Sequence, residues 1–184
     1  DDATVSFGNI TVEGNNIYAD DNEALYVYGY ECGTYLYNNA AVTMGDIYIR
    51  DNPSIVSDKD DAIYVYYDGG YYNDNDNGYN YSQFTIGDLV IESNDSIDGN
   101  DYGVYINYAY FGYYNYGDSE VITGGISVRD NVISAANEDG IYIKYYECGY
   151  DLYENSTATF GDVDVEANEI TASNGDGVYV NYDY

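Results

Sequence analysis

The chain has 184 residues, with 34 Asp and Glu against four Lys and Arg, no His, and a formal net charge of −30. That balance excludes ordinary nucleic-acid binding, which needs a basic footprint, and it repels anionic membranes. No apolar run reaches transmembrane length, and without His no His-based triad, His zinc site or His acid–base pair can form.

Five copies of one phrase fill the sequence. Each carries a glycine followed seven residues later by asparagine: Gly8/Asn15, Gly45/Asn52, Gly87/Asn94, Gly124/Asn131 and Gly161/Asn168, with the glycines advancing by 37, 42, 37 and 37 residues. A fixed period of this length means stacked repeats, not a fold with one centre. The predicted architecture is all-β: one single-stranded parallel β-solenoid over residues 1–184, in five wide coils at 3–39, 40–81, 82–119, 120–156 and 157–184. The extra length of the second copy is placed at 68–81.

Each copy begins with alternating apolar residues around the glycine, interrupted by a one-residue phase break, which reads as a strand with a bulge at glycine. Two inward columns result, Ile10/Ile47/Leu89/Ile126/Val163 and Val12/Ile49/Ile91/Val128/Val165. Coils stacked about 4.8 Å apart set like residues on like. The asparagines Asn15, Asn52, Asn94, Asn131 and Asn168 are therefore predicted to turn inward as a ladder, each bonding the coil above and below.

A third column, Ile17/Ile55/Ile97/Ile133/Ile170, follows the asparagine, and then a turn rich in Asp, Asn and Gly. Acids recur directly after the glycine (Asp46, Asp88, Asp162) and just before the next strand (Asp61, Asp139, Asp176). Like charges one coil apart destabilise each other unless solvated, protonated or bridged by a cation. Hard oxygen ligands at turns suit structural Ca2+, so both sets are candidate ligands, with a solvated face as the alternative. The stretch Asn73, Asn75, Asn77, Gly78 imitates half of a calcium loop, but Phe84 stands where a bidentate Glu belongs.

After the turn come Leu25/Ile63/Val104/Ile141/Val178 and Val27/Val65/Ile106/Ile143/Val180 as inward columns. Of 29 tyrosines only Tyr18, Tyr48 and Tyr102 precede this segment in their copies, so the coil is one-sided. Tyr26, Tyr64, Tyr105, Tyr142 and Tyr179 alternate with the inward residues and form an outward stack. Tyr37, Tyr79, Tyr116 and Tyr153, each eight residues before the next glycine, form a second. Such ladders stabilise a sheet face, and a face this broad also reads as a lateral protein contact. A carbohydrate-binding surface is the other use of an aromatic row.

Cys32 and Cys148 lie in a matched phrase, YECGxxLYxN, three coils and about 14 Å apart, beyond the span of an intrachain disulfide. Either they pair between chains or they are free and buried, and Phe111 at the equivalent point of the third copy favours an inward slot. Sequons occur at Asn9, Asn80, Asn94 and Asn155. Asn94 belongs to the ladder, which argues against it, and Asn80 and Asn155 are taken as the candidate glycosylation sites.

The opening DDATVSFG, without an initiator methionine, reads as a mature product or a segment of a longer protein, and no polar cap is recognised at either end. Tyr184 of one copy next to Asp1 of another would set glycines 31 residues apart, so the two partial ends would complete a coil across a head-to-tail junction. Any acid pair chosen as catalytic repeats down a column, so no active site is expected.

The phrases TATFGDVDVEANEI and EDGIYIKYYECGYDLYENS resemble the tyrosine-rich parallel β-helix repeats of archaeal cell-surface proteins, and among these the methanogen sheath proteins. The resemblance implies a protease-resistant, amyloid-like tubular envelope whose subunits join along and across the wall, loosened by reduction. The expectation is an extracellular, self-assembling structural protein that is its own partner, not an enzyme. The alternative is a glycan-binding adhesin segment of a larger surface protein.

Overall fold

β-Branched residues crowd the repeat because a doubly substituted Cβ loses little on a strand, and the chain responds with strands alone. In the structure, a computed structural model, residues 3–37, 39–74 and 82–183 are described. Among them, 24 strands form five sheets in which every pairing is parallel, and each sheet takes one strand from each coil it spans. The third coil runs Gln83–Ile86, Leu89–Glu92, Ile97–Gly99, Val104–Ala109 and Tyr114–Asn115, one strand for each of the first to fifth sheets. The chain is a parallel β-solenoid of about five turns.

Strand register reproduces the predicted apolar columns. Ile10 pairs Ile47, which pairs Leu89, then Ile126 and Val163. Ile17, Ile55, Ile97, Ile133 and Ile170 align in the third sheet, and Val27, Val65, Ile106, Ile143 and Val180 in the fourth. In the middle coils Ile49, Ile55, Ile63, Leu89, Ile91, Ile97, Val104 and Ile106 are completely buried.

The glycine of the repeat is a corner and not a strand bulge. Ile86 ends a strand of the first sheet and Leu89 begins one of the second, with Gly87 and Asp88 between them. At this corner the backbones of adjacent coils approach too closely for a side chain. A Cβ on Gly124 would lie 2.5 Å from the carbonyl carbon of Gly87, and one on Gly161 would lie 2.5 Å from that of Gly124. Left-handed backbone is required elsewhere, at the unforeseen column Gly33, Gly70, Gly112 and Gly149, with φ of 62°, 60°, 67° and 68°.

The register also narrows the insertion. Asp74 pairs Tyr37, an offset of 37, and Gln83 pairs Ala41, an offset of 42, so the five additional residues fall between 74 and 83 instead of across 68–81. Asp74, not a tyrosine, therefore stands beside Tyr37 in the fifth sheet. Tyr79 and Asn80, the loop residues Asn75, Asn77 and Gly78, and the terminal Asp1 and Tyr184 lie outside the described residues.

Not every tyrosine after the turn faces outward. Tyr67, Tyr108 and Tyr145 continue the inward alternation and are 3%, 0% and 3% exposed, packed edge to face. Phe84 and Phe111 stack with ring centres 5.7 Å apart and fill the space beside them.

Candidate functional site

Two arrangements dominate the molecule, a ladder inside and a pavement outside. The inner ladder starts with a backbone turn: Gly14, Asp51, Ser93, Asp130 and Ala167, each preceding a ladder asparagine, adopt φ between 52° and 70°. This left-handed step is disfavoured for residues with a Cβ, by roughly 1–2 kcal/mol, and it points the next side chain at the coil axis. Asn131 Oδ1 then accepts from Asn94 N at 3.0 Å and Asn94 Nδ2 at 2.8 Å. Asn131 Nδ2 donates to the Ile91 carbonyl at 2.9 Å and to Asn168 Oδ1 at 3.0 Å. The same links join Asn15 to Asn52 and Asn52 to Asn94. Asn52, Asn94 and Asn131 are at most 1% exposed, so Asn94 is unavailable as a glycosylation site. Asn155 is exposed and donates to Asp118 Oδ1 at 3.1 Å.

The acid columns are discontinuous, and Asp46, Asp88, Asp61 and Asp139 each have a backbone partner in the next coil. Gly125 separates Asp88 from Asp162, and Tyr102 separates Asp61 from Asp139. Asp46 Oδ1 accepts from Asp88 N at 3.0 Å and Asp88 Oδ1 from Gly125 N at 2.8 Å. At the other corner Asp61 Oδ1 accepts from Tyr102 N at 3.0 Å and Asp139 Oδ1 from Asp176 N at 2.6 Å. These carboxylates act as the asparagines do, as side-chain acceptors for the neighbouring coil. Among the described residues no group of three or more His, Cys, Asp or Glu is placed to hold a metal ion.

Asp61 is 5% exposed, and burial lifts its carboxyl to about 7. The Tyr102 N–H works against that rise, while Asp60, Asp101 and Glu23 add to it. Because the folded pKa exceeds the unfolded one, the associated stability is complete below about pH 4 and is lost as pH rises through 7. Asp61→Asn keeps an acceptor for Tyr102 without the charge. It should be more stable than the parent by about 2 kcal/mol at pH 8 and no more stable near pH 4. Chemical denaturation at both pH values measures the difference, and a variant weaker at pH 8 would contradict the assignment.

Both cysteines are free. Cys148 is 6% exposed, its Sγ 3.3 Å from the Tyr108 carbonyl, and burial pushes its thiol up to about 12. Cys32 is half-buried, its thiol also raised by burial. Cys148 thus occupies the inward slot equivalent to Phe111.

On the outer face of the fourth sheet the first tyrosine column is continuous. Ring centres are 5.2 Å apart for Tyr26–Tyr64, 4.8 Å for Tyr64–Tyr105, 5.1 Å for Tyr105–Tyr142 and 5.3 Å for Tyr142–Tyr179. Tyr28 and Tyr66 extend it sideways, 5.3 Å apart. Of the second column, Tyr116 and Tyr153 stack at 4.7 Å, and Tyr37 is exposed. A ladder missed by counting back from glycine is Tyr71–Tyr113–Tyr150, with centres 5.1 and 5.2 Å apart. Its signal was present as tyrosines at offsets of 42 and 37.

The leading part of this face is free of acids in a chain that is otherwise strongly acidic. The first two outward positions of the five strands are Tyr26 and Tyr28, Tyr64 and Tyr66, Tyr105 and Asn107, Tyr142 and Lys144, and Tyr179 and Asn181. None of the ten is acidic, in a chain of net charge −30. Burial raises the pKa of Tyr64 and takes that of Tyr66 to about 12, so both hydroxyls stay neutral and able to donate. No protein-family model, curated protein or solved structure matches the chain.

Proposed function

We propose that this solenoid is a structural subunit of an extracellular cross-β envelope, a sheath or tube, in which copies pack side by side through the tyrosine face. The first two outward positions of the fourth-sheet strands, tyrosine-rich and free of acids in all five coils, carry this reading. A chain with 34 acidic residues repels its own copies least where acids are missing, and at these fourth-sheet positions the exposed surface is aromatic. Aromatic bodies exclude water while their hydroxyls hydrogen-bond, which suits an interface core. The inner ladder supplies the rigidity that a wall needs, since each coil is tied to the next by side-chain amides as well as backbone.

Ring geometry favours this reading over a glycan-binding adhesin. From Tyr64 to Tyr179 the tyrosines of the long ladder stack face to face at 4.8–5.3 Å and 8–22° from parallel, while Tyr26 is tilted by 44° to Tyr64. Stacked rings offer edges and hydroxyls outward and cover each other's faces, whereas a sugar ring needs a free aromatic face. Sedimentation of the purified chain with and without soluble polysaccharide tests the choice. Concentration-dependent assembly that ignores polysaccharide supports the envelope, and a monomer that binds polysaccharide overturns it.

A further inference from the structure

At the C-terminal end of the fourth-sheet strands and the turn beyond, a cavity of about 170 Å3 opens between the first three coils. Tyr30, Tyr35, Tyr71 and Tyr110 wall it, and Glu31, Thr34 and Asp68 complete its lining. Asp68 is only 7% exposed, and its carboxylate accepts no hydrogen bond from a described residue. Thr34 Oγ1 is likewise buried without a partner. The second carboxylate is Glu31, held at a left-handed φ of 53°. No cation of the chain itself can neutralise the pair: Arg50 bonds Glu13, Lys59 bonds Asp21, Arg129 bonds Glu92 and Lys144 bonds Asp183.

We propose that this cavity is a binding site for an organic ammonium group, with the cation against the tyrosine rings and its charge matched by Asp68 and Glu31. A buried carboxylate without a counter-charge is unfavourable, and a cation relieves Asp68 while the exposed Glu31 adds to its attraction. Aromatic walls decide which kind. A hard divalent ion takes six or more oxygens, which walls of ring carbon do not supply. An alkylammonium carries a single charge and needs no shell of oxygens, so ring faces take its alkyl and N–H surface while one carboxylate contact meets its charge. A neutral sugar would leave the carboxylate pair uncompensated.

Electrostatics around Asp68 agree. Burial first, and Glu31 second, lift its carboxyl to about 6. Tyr30, Tyr66, Cys32 and Cys148 face it from the surrounding strands, and its charge helps to keep all four protonated. The positive partner is therefore sought outside this set of side chains, either in a free alkylamine or in a lysine side chain of a protein.

Titration calorimetry at pH 8 and low salt, where Asp68 is ionised, tests the site with n-butylamine and with Nα-acetyl-lysine methyl ester as separate probes. Saturable one-to-one binding of either supports it, and the preferred probe distinguishes the free amine from the protein lysine. Asp68→Asn, isosteric and uncharged, should weaken binding about tenfold, and Tyr35→Leu, at an exposed wall, about threefold. Equal melting of parent and variants separates lost binding from lost fold. No heat from either amine, unchanged affinity in Asp68→Asn, or saturation by methyl glucoside in place of the amines would overturn the proposal.

Discussion

Asn131→Asp should lower the stability of the solenoid by about 3–5 kcal/mol at pH 7, the range for an uncompensated buried charge. The substitution changes one atom group, NH2 to O, and leaves the two bonds accepted from Asn94 in place. Lost are the donations to the Ile91 carbonyl and to Asn168 Oδ1, both of which become oxygen against oxygen. Acid should partly rescue the variant, because protonation removes the charge and restores one donor, so the gap to the parent closes as pH falls toward 4. Denaturant melting across that range reads both effects. Unchanged melting at pH 7 would mean that backbone pairing alone holds the coils.

Replacing Tyr64, Tyr105 and Tyr142 together with threonine should abolish lateral assembly while the coils remain folded. Threonine keeps the strand preference and a hydroxyl but removes the ring. The three positions lie at the centre of the long ladder, and each lost ring pair weakens the monomer by about 0.5–1.5 kcal/mol. Assembly loses more, since aromatic anchors at the centre of an interface dominate its energy. The concentration needed for assembly should rise by about a hundredfold or more. Parent-like assembly by a folded triple variant would place the contact on another face.

The apolar columns and the asparagine ladder were legible because a parallel stack demands identity at fixed intervals, and the period was visible without any relative to compare. What escaped has physical causes. The phase break at Gly87 is the same in sequence for a bulge and for a corner, and only the approach of Gly87 to the coil before it tells them apart. Gly33, Gly70, Gly112 and Gly149 sit in the most variable part of the repeat, where neighbouring residues hide the column. Tyrosine is equally at home inside and outside a sheet. Tyr67, Tyr108 and Tyr145 nevertheless follow strict alternation from Val65, Ile106 and Ile143, which was the available signal.

The acids show the same limit from the other side. Asp46 and Asp88 stood as candidate ligands, with a solvated face as the alternative, because like charges at close spacing call for compensation, and the Asp88 and Gly125 amides each meet one of their oxygens from the adjacent coil. A sequence records the charge and not the backbone donor that meets it. Nor could composition foresee the cavity around Asp68, which gathers residues from three separate segments, 30–35, 68–71 and 110.

The central proposal is that the register tying coil to coil and the tyrosine face of the fourth sheet together make this chain a wall-building subunit. Negative-stain electron microscopy of the purified chain at neutral pH tests it most directly. Ordered sheets or tubes, absent from the threonine triple variant, are the predicted result. Dispersed single particles at every concentration, from a chain whose circular dichroism reports the folded β-solenoid, would contradict it.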